Sequence, residues 1–215
     1  MPRRSKLPSK VFDTNQIAIS APSESEPSRM SIPHRRNYNL PGHAHELTFS
    51  CYLGFPFLKS ERACRWLAES LHEALCRHDY SLWAYVLMPE HAHVVVCPRQ
   101  KAYRIEEFRK SVKEPVARHA IRWLEHHAVE WIPRITRTRG AKTERLFWQS
   151  GGGYDRNITE SKTLLRMIDY IHLNPVRRGL VERAADWEWS SAAWHAEGKP
   201  SPIRVDAIPP EWLCQ

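Results

Sequence analysis

Two histidine pairs in this chain have the spacing to bind a metal ion, His43 with His45 and His91 with His93. Histidines one residue apart point to the same face of an extended strand, where both imidazoles can reach one ion. The second pair begins the apolar run HAHVVVC, and two imidazoles at the mouth of a buried strand are costly unless something binds them. The first pair follows a Pro-Gly turn at the start of a one-sided strand, where water can solvate it. The strand context therefore favours His91 and His93 as metal ligands.

A tyrosine and an asparagine late in the chain are the next candidates. In the segment DYIHLNP, Tyr170 and Asn174 lie one helical turn apart at the edge of an apolar stripe. By itself, such a tyrosine is typical of a packing residue with its hydroxyl in water, and an asparagine before proline is typical of a helix end. Two histidines do not complete a divalent-metal site, which needs a third protein ligand or oxygen atoms of the substrate.

The composition favours a polyanionic partner. The 215 residues include 32 Lys and Arg against 24 Asp and Glu, a formal net charge of +8, which favours nucleic acid first and an anionic membrane surface second. The five cysteines are scattered without a CxxC pair, which predicts reduced thiols rather than disulfides or a zinc ribbon. The N-terminal residues lack the apolar core of a signal peptide, and no stretch is apolar enough to span a membrane. We therefore expect a soluble, cytoplasmic protein.

The elements that must position these residues follow from apolar periodicity. Residues 1–40, rich in Ser, Pro and basic residues, are predicted to be a disordered arm; residues 41–199 form one folded domain, and residues 200–215 form a C-terminal tail. Within the domain the pattern predicts a strand, a helix, two strands in a tight hairpin, a helix that Pro115 kinks or restarts, a basic loop (PRITRTRGAKTER), a short strand (RLFWQ) and a final helix. This order is typical of an α+β fold, a ferredoxin-like antiparallel sheet with the helices packed on one face.

Cationic side chains near these motifs are the candidate DNA contacts, together with aromatic surfaces on which unstacked bases can lie. The basic loop holds the densest run, and three more arginines lie before or just after the final helix. Trp148 and Tyr154 could stack bases, although a tryptophan in FWQ is more typical of packing between the sheet and a helix. The candidate cations are Arg134, Arg137, Arg139, Lys142, Arg145, Arg156, Arg177 and Arg178.

Four segments in order, LMPEHAHVVV, RLFWQSGGGYDRNI, DYIHLNPVRRGLV and DWEWSSA, resemble the REP-associated tyrosine transposases. This family is the single-tyrosine branch of the HUH nucleases and is related to small insertion-sequence transposases. The resemblance implies a ferredoxin-like fold in which the HUH histidines, on a central strand, bind Mg²⁺ or Mn²⁺ and a tyrosine on a late helix is the nucleophile. Matched by motif, the ligands are His91 and His93, the nucleophile is Tyr170, and Asn174 takes the place of a third ligand in related transposases. Ala92 departs from the bulky apolar residue usual in HUH, a change expected to alter packing rather than ligation.

The implied reaction is transesterification on single-stranded or hairpin DNA. Tyr170 would attack a backbone phosphorus, leaving a 5′-phosphotyrosine and a free 3′-hydroxyl, so strands can be rejoined without a nucleotide cofactor. Free phenol is ionised in only about one molecule in a thousand at pH 7, so help from the metal as a Lewis acid is expected. No general base stands out, since Glu90 is predicted to be a turn residue and Asp169 a solvated helix residue.

Two other functions stay open from the sequence. One is a hairpin-DNA-binding protein that keeps the fold and no longer cuts. The other is a metal-dependent phosphodiesterase that uses water and for which Tyr170 is structural. The resemblance implies a monomer rather than a homodimer, because the REP-associated branch acts as monomers.

Overall fold

The computed structural model describes residues 39–151 and 153–213, and it leaves nearly all of the predicted N-terminal arm outside the described residues. The strands are β1 (Ala44–Ser50), β2 (Tyr80–Met88), β3 (His91–Pro98), β4 (Thr136–Arg139), β5 (Lys142–Arg145) and β6 (Tyr154–Ile158). The helices are α1 (Glu61–His78), α2 (Ile105–His127), α3 (Ile132–Ile135), α4 (Ser161–His172), α5 (Asn174–Arg177) and α6 (Ala192–Glu197). Short 3-10 helices span Tyr52–Gly54, Phe57–Lys59, Val129–Trp131, Ala184–Asp186 and Pro210–Trp212.

The main sheet has the strand order β2-β3-β1-β6, and every neighbouring pair is antiparallel. The path β1, α1, β2, β3, α2, β6 through this sheet is the ferredoxin-like arrangement, so the predicted fold class is confirmed. β3 lies between β2 and β1, which makes the strand that begins at His91 a central one.

The fourth strand of the sheet is not the predicted one. In RLFWQ only Trp148 makes a β-bridge, to Cys51, and the strand that completes the sheet is β6, with the sequence YDRNI. Phe147 and Trp148 are buried because they pack into the core rather than because they form a ladder. β6 lies at the edge of the sheet, and four of its five residues (YDRNI) are polar or only partly buried, so it lacks the apolar alternation that marks a strand in a sequence.

Helices cover both faces of the sheet, whereas the sequence predicted one covered face. The helices α1 and α2 pack against Leu47, Phe49 and Val94, and α4 packs on the opposite face against Val86 and Val95. The physical reason lies in β2 and β3, whose apolar residues point to both faces and therefore need cover on both.

The basic loop predicted at residues 133–145 is a two-stranded hairpin instead. β4 and β5 pair antiparallel from Thr136 opposite Arg145 to Arg139 opposite Lys142. Gly140 in the turn has a φ of +58°, a conformation that glycine adopts at little cost. The hairpin carries no apolar stripe, so its sequence alone did not distinguish it from a loop.

Residues of the predicted C-terminal tail belong to the folded domain. Ile203 and Val205 are buried in the core on the α1 and α2 side, and Trp212 meets Trp83 with ring centroids 5.2 Å apart. The backbone N–H of Asp206 donates to the carbonyl of Leu82 at 2.8 Å, so this segment covers the outer edge of β2. A covered edge has fewer unpaired backbone groups open to other chains.

The cysteines of the described residues are free thiols: Cys51, Cys64, Cys76 and Cys97. Burial raises the pKa of Cys51 and of Cys64 to about 12, so both act as small apolar core residues. Within residues 39–151 and 153–213, no helix has the length and apolar character that a membrane span requires.

Candidate active site

The hairpin of β2 and β3 places His91 and His93 at one end of the sheet. In the register with β1, His93 lies opposite Thr48 and His91 lies opposite Ser50. The two imidazole rings are perpendicular, with centroids 4.8 Å apart, and their side chains are 20% and 12% exposed. Two neutral imidazoles this close can bind one cation, as the spacing predicted.

His93 is held by a buried carboxylate that the sequence did not single out. Its Nδ1 lies 2.8 Å from Oε1 of Glu46, and the hydroxyl of Thr48 donates to the same oxygen at 2.9 Å. The Glu46 side chain is only 3% exposed. A carboxylate only accepts hydrogen bonds, so Nδ1 of His93 is the donor to Glu46, and Nε2 is the ring nitrogen left to bind a metal ion.

His91 has a carboxylate partner as well. Its Nδ1 lies 3.3 Å from Oε1 of Glu90, the residue of the turn between β2 and β3, and Glu90 also pairs with the guanidinium of Arg178. Burial opposes ionisation of Glu90, but the hydrogen bond from Arg178 and the charge of His91 outweigh it and lower the pKa of this carboxyl. Burial, together with the nearby His93, lowers the pKa of His91 and favours its neutral, ligand-competent form.

Tyr170 lies on α4, beside the histidines. Leu164, Ile168 and Ile171 form the buried stripe of this helix, and Tyr170 at the edge of the stripe is 49% exposed. Its ring is nearly perpendicular to that of His93, with centroids 6.2 Å apart. The fold therefore brings the predicted nucleophile next to the predicted histidine pair.

The guanidinium of Arg177 lies over the ring of Tyr170, with its carbon 4.9 Å from the ring centroid. It also donates to the backbone carbonyl of Tyr170 at 3.3 Å. This contact places a positive charge over the face of the Tyr170 ring.

α4 ends at His172, and Asn174 begins α5 after one intervening residue, Leu173. Pro175 occupies the first turn of α5, in agreement with its predicted role of ending the previous helix. The Nδ2 atom of Asn174 is buried without a hydrogen-bond partner among the described residues. In the same residues no group of three or more His, Cys, Asp and Glu side chains has metal-binding geometry. The role of Asn174 as a third ligand therefore stays a prediction.

Two clefts meet at the histidine pair. The first, of about 580 Å³, is lined by His93, Tyr170, Tyr154, Arg156 and Arg166, with Glu46 and Thr48 at its base. The second, of about 530 Å³, is lined by His91, His93, Glu90, Gln149 and residues that follow β1. A strand of DNA could thus pass the histidines with room on both sides. Arg166 is a cation of this cleft that the sequence did not single out, because on the helix it resembles a solvated residue.

The remaining predicted cations divide into two sets. Arg156 lines the first cleft, and Arg177 and Arg178 contact Tyr170 and Glu90. The others lie on or just before the β4-β5 hairpin, and most of them already contact another side chain. Arg137 and Lys142 pair with Glu144, and Arg145 pairs with Glu125. Arg134 stacks on Trp131, while Arg139 has no ion-pair partner among the described residues.

The two aromatic candidates also differ. Tyr154 is 38% exposed and lines the first cleft, where a base could stack on it. Trp148 is 5% exposed, and its Nε1 donates to the carbonyl of Lys113 at 2.9 Å. It therefore packs in the core, the alternative that FWQ favoured.

The first histidine pair does not lie in water as its position suggested. His45 is fully buried, with Nδ1 at 2.9 Å from Oδ1 of Asp155 and Nε2 at 2.8 Å from the hydroxyl of Tyr103. The Nδ1 atom of His43 lies 3.0 Å from the side-chain nitrogen of Asn157. With both ring nitrogens of His45 engaged, this pair has no free ligand set for a metal, so the second pair is the better candidate.

Comparison with known proteins agrees with this fold. No protein-family model matches the chain. A curated relative, the putative REP-associated tyrosine transposase of Haemophilus influenzae, is 24% identical over 150 residues, which cover 66% of this chain and 73% of the relative. A solved structure, a REP-associated tyrosine transposase bound to a REP hairpin, superposes with a TM-score of 0.59 at 19% identity and covers 83% of this chain and 94% of that one.

A second solved structure, a putative transposase from Deinococcus radiodurans, is 18% identical with a TM-score of 0.37, too low to argue from, and covers 65% of this chain and 95% of that one. The relative from Haemophilus influenzae is similar in sequence, and the REP-associated tyrosine transposase structure is similar in fold. The fold is that of a REP-associated tyrosine transposase, and the resemblance to this family that the four motifs indicated is confirmed.

Proposed function

We propose that this protein is a metal-dependent endonuclease and strand transferase for single-stranded DNA that acts through a 5′-phosphotyrosine, on hairpin-forming repeat DNA. The observation that carries the proposal is the contact between Tyr170 and His93, whose ring centroids lie 6.2 Å apart at one cleft. A nucleophile and a pair of metal ligands that share a cleft can act on the same phosphate.

The side chains fit the Mg²⁺ or Mn²⁺ that this fold family uses. The Nδ1 atoms of His91 and His93 face carboxylates, so both Nε2 atoms are available, and the buried amide nitrogen of Asn174 lacks a partner among the described residues. An amide whose nitrogen finds no acceptor can be turned so that its oxygen takes that place, and an oxygen can bind a divalent cation. When bound there, the metal would act as a Lewis acid on a non-bridging oxygen of the scissile phosphate.

The protein's own side chains would perform the remaining steps. Arg177 beside the phenol, and Arg156 and Arg166 across the cleft, hold the phosphate by charge-assisted hydrogen bonds. The phenol of Tyr170 loses its proton to solvent as its oxygen bonds to phosphorus. The bond from phosphorus to the 3′-oxygen breaks, and that oxygen takes up a proton to become the free 3′-hydroxyl. The reverse sequence rejoins the strand.

The proposed DNA partner follows from charge and from the relatives. The net charge is +8, and the first cleft holds two arginines and an exposed tyrosine. The structural neighbour with the same fold is described as bound to a REP hairpin. A hairpin presents single-stranded nucleotides next to a duplex, so one strand can enter the cleft while the duplex contacts the basic surface.

A test of this function is to incubate the full chain with labelled hairpin DNA and Mn²⁺ and to search for an adduct that survives SDS. We expect an adduct with the wild type and none with Tyr170→Phe, while the matched variant Tyr154→Phe, in the same cleft, still forms it. Cleavage by Tyr170→Phe would indicate a water-using phosphodiesterase. A wild type that binds the hairpin without cutting it at any Mn²⁺ or Mg²⁺ concentration would indicate a binding protein.

The choice of histidine pair has its own test. His91→Ala is expected to abolish the adduct, because it removes one of the two proposed ligands. His43→Ala is the matched control and is expected to retain the adduct. His43 directly precedes β1, whereas His91 lies opposite Ser50 at the other end of that strand. The reverse result would assign the metal to the first pair, His43 and His45.

A further inference from the structure

We propose that Glu46 and Glu90 are positioning residues that fix the tautomer of His93 and His91, so that both Nε2 atoms face one divalent cation. This inference rests on the proposed function and deepens it, because it names the residues on which the metal affinity depends. Metal-binding histidines usually donate their second ring N–H to a carboxylate, a contact that orients the ring and increases its basicity.

Glu46 makes the stronger contact of the two. It is buried on β1, and within the described residues its ion-pair partner is His93 rather than a Lys or an Arg. Oε1 of Glu46 accepts from Nδ1 of His93 at 2.8 Å and from the hydroxyl of Thr48 at 2.9 Å. Burying a carboxylate is costly unless a partner satisfies it, and here the partner is a proposed metal ligand.

Glu90 makes a looser, ion-pair contact with the other histidine and adds a link to a second element. Its Oε1 lies 3.3 Å from Nδ1 of His91 and also accepts from Arg178, just after α5. One carboxylate therefore contacts both the histidine strand and the segment that follows the tyrosine helix. Arg178 thereby acts on the geometry of the site, in addition to its predicted contact with DNA.

The first readout is Mn²⁺ affinity, measured by calorimetry on the full chain without DNA. We expect Glu46→Gln to weaken Mn²⁺ binding by about 10- to 100-fold, the usual effect of losing such a partner. Glu90→Gln should weaken it as well, by a smaller factor, because its contact with His91 is longer.

Asp155→Asn is the matched control. Asp155 holds Nδ1 of His45 at 2.9 Å with a side chain only 5% exposed, so it is a carboxylate–histidine pair of the same geometry in the same sheet. It has no contact with His91 or His93, and Mn²⁺ affinity should stay within about twofold of the wild type, since substitutions with no shared partners act independently. Circular dichroism and thermal unfolding of each variant verify that the fold is kept.

The second readout is the tautomer of His93, from the ¹⁵N shifts of the imidazole nitrogens in the metal-free protein. We expect the Nδ1–H form in the wild type and a shift toward the Nε2–H form in Glu46→Gln, whose amide can donate to Nδ1. A merely structural glutamate would leave the tautomer unchanged.

The outcomes separate the two proposals. If a folded Glu46→Gln binds Mn²⁺ as the wild type does while His91→Ala does not, the positioning role is overturned and the metal site stands. If the wild type binds no Mn²⁺, both the metal site and the positioning role are overturned, whereas an SDS-stable adduct in the assay above would still support the tyrosine chemistry.

Discussion

Arg156 lines the first cleft, and Arg177 contacts Tyr170. The arginines of the β4-β5 hairpin, in contrast, are mostly paired with acidic side chains. An arginine that already pairs with a carboxylate must give up that partner before it binds a phosphate. The contribution of each cation to DNA affinity should therefore follow its position in the structure rather than the density of charge along the sequence.

We predict that Arg156→Ala weakens binding to single-stranded DNA. It should also reduce the magnitude of the slope of log K against log salt by about 0.7, the contribution of one phosphate contact. Arg145→Ala, which removes a cation already paired with Glu125, should leave that slope close to the wild-type value. If about four phosphates are contacted, the wild-type slope of log K against log salt is near −3. Fluorescence anisotropy at several salt concentrations measures it. A larger effect of Arg145→Ala would assign the DNA contact to the hairpin.

The sequence predicted part of this site, and the reason is the distance between its residues along the chain. His91 and His93 are adjacent on one strand, and the DYIHLNP motif is contiguous, so local spacing and family motif were sufficient. Glu46 was missed because only the register of β1 against β3 brings it to His93. Along β1 it alternates with apolar residues and looks solvent-facing, but α4 covers that face.

At the scale of elements, α2 runs through Pro115 without interruption, so the helix does not restart there, one of the two outcomes that the sequence predicted. Proline has no N–H, so the carbonyl of Ser111 four residues earlier lacks its helical donor. The hydroxyl of Ser70 on α1 lies 3.2 Å from this carbonyl and 2.9 Å from that of Val112. A neighbouring helix thus satisfies a carbonyl that the proline leaves free.

This contact makes a prediction about α1 and α2. Ser70→Ala should lower the free energy of unfolding by about 1 to 3 kcal/mol, because it removes the side-chain donor that the carbonyls of Ser111 and Val112 share. In a Pro115→Ala background the same change should have a smaller effect, since residue 115 then supplies an N–H. Urea unfolding of the four proteins measures the coupling.

Ser161→Ala is the control for this cycle. The Ser161 hydroxyl is buried and has no hydrogen-bond partner in the described residues, so its removal should change stability little. Equal effects of Ser70→Ala in both backgrounds would show that its hydroxyl does not act on the carbonyl freed by the proline.

The elements that the sequence predicted poorly are those without an apolar face. β6 and the β4-β5 hairpin are mostly polar, and they form because a partner strand is present rather than because of their own pattern. The three long helices α1, α2 and α4 and the central strands carry long apolar patterns and were predicted in the correct order. Sheet register and edge pairing depend on the whole fold, and no local window of sequence contains them.

At the scale of the whole molecule, α4 is packed between the sheet and a layer of later residues. His172 on α4 and His195 on α6 meet where the helix packs against these later residues, with ring centroids 5.1 Å apart. Nε2 of His172 lies 2.7 Å from the hydroxyl of Ser191, and Nε2 of His195 lies 2.8 Å from the carbonyl of Trp83. Burial, with His195 nearby, lowers the pKa of His172 to about 3, and burial lowers the pKa of His195 as well.

We therefore predict that the protein loses stability in mild acid. Unfolded histidine takes up a proton near pH 6.5 and folded His172 does not, so its stabilisation is complete above pH 6.5 and is lost as the pH falls toward 3. Between pH 7 and pH 5, His172 alone should lower the free energy of unfolding by about 2 kcal/mol. Urea unfolding at each pH should show a flatter profile for His172→Gln and an unchanged one for His126→Gln, an exposed histidine. Identical profiles for His172→Gln and wild type would contradict this.

A prediction about assembly follows from the position of Tyr170 beside His93 of the same chain. One molecule then holds the nucleophile and the ligands together, as a monomeric enzyme requires. Mixing Tyr170→Phe with His91→Ala should restore no adduct, because neither protein contains a complete site. Recovery of the adduct in the mixture would show that two copies exchange tyrosines.

A reaction with one nucleophilic tyrosine, as proposed for Tyr170, also limits how DNA ends can be managed. In the proposed reaction only the 5′ end is held by a covalent bond, and the 3′ end depends on reversible contacts in the cleft. Rejoining is then a race between departure of that free end and its attack on the phosphotyrosine. A hairpin that base-pairs the released segment to the rest of the molecule would slow that departure, so the secondary structure of the substrate would act as the second clamp that the protein lacks.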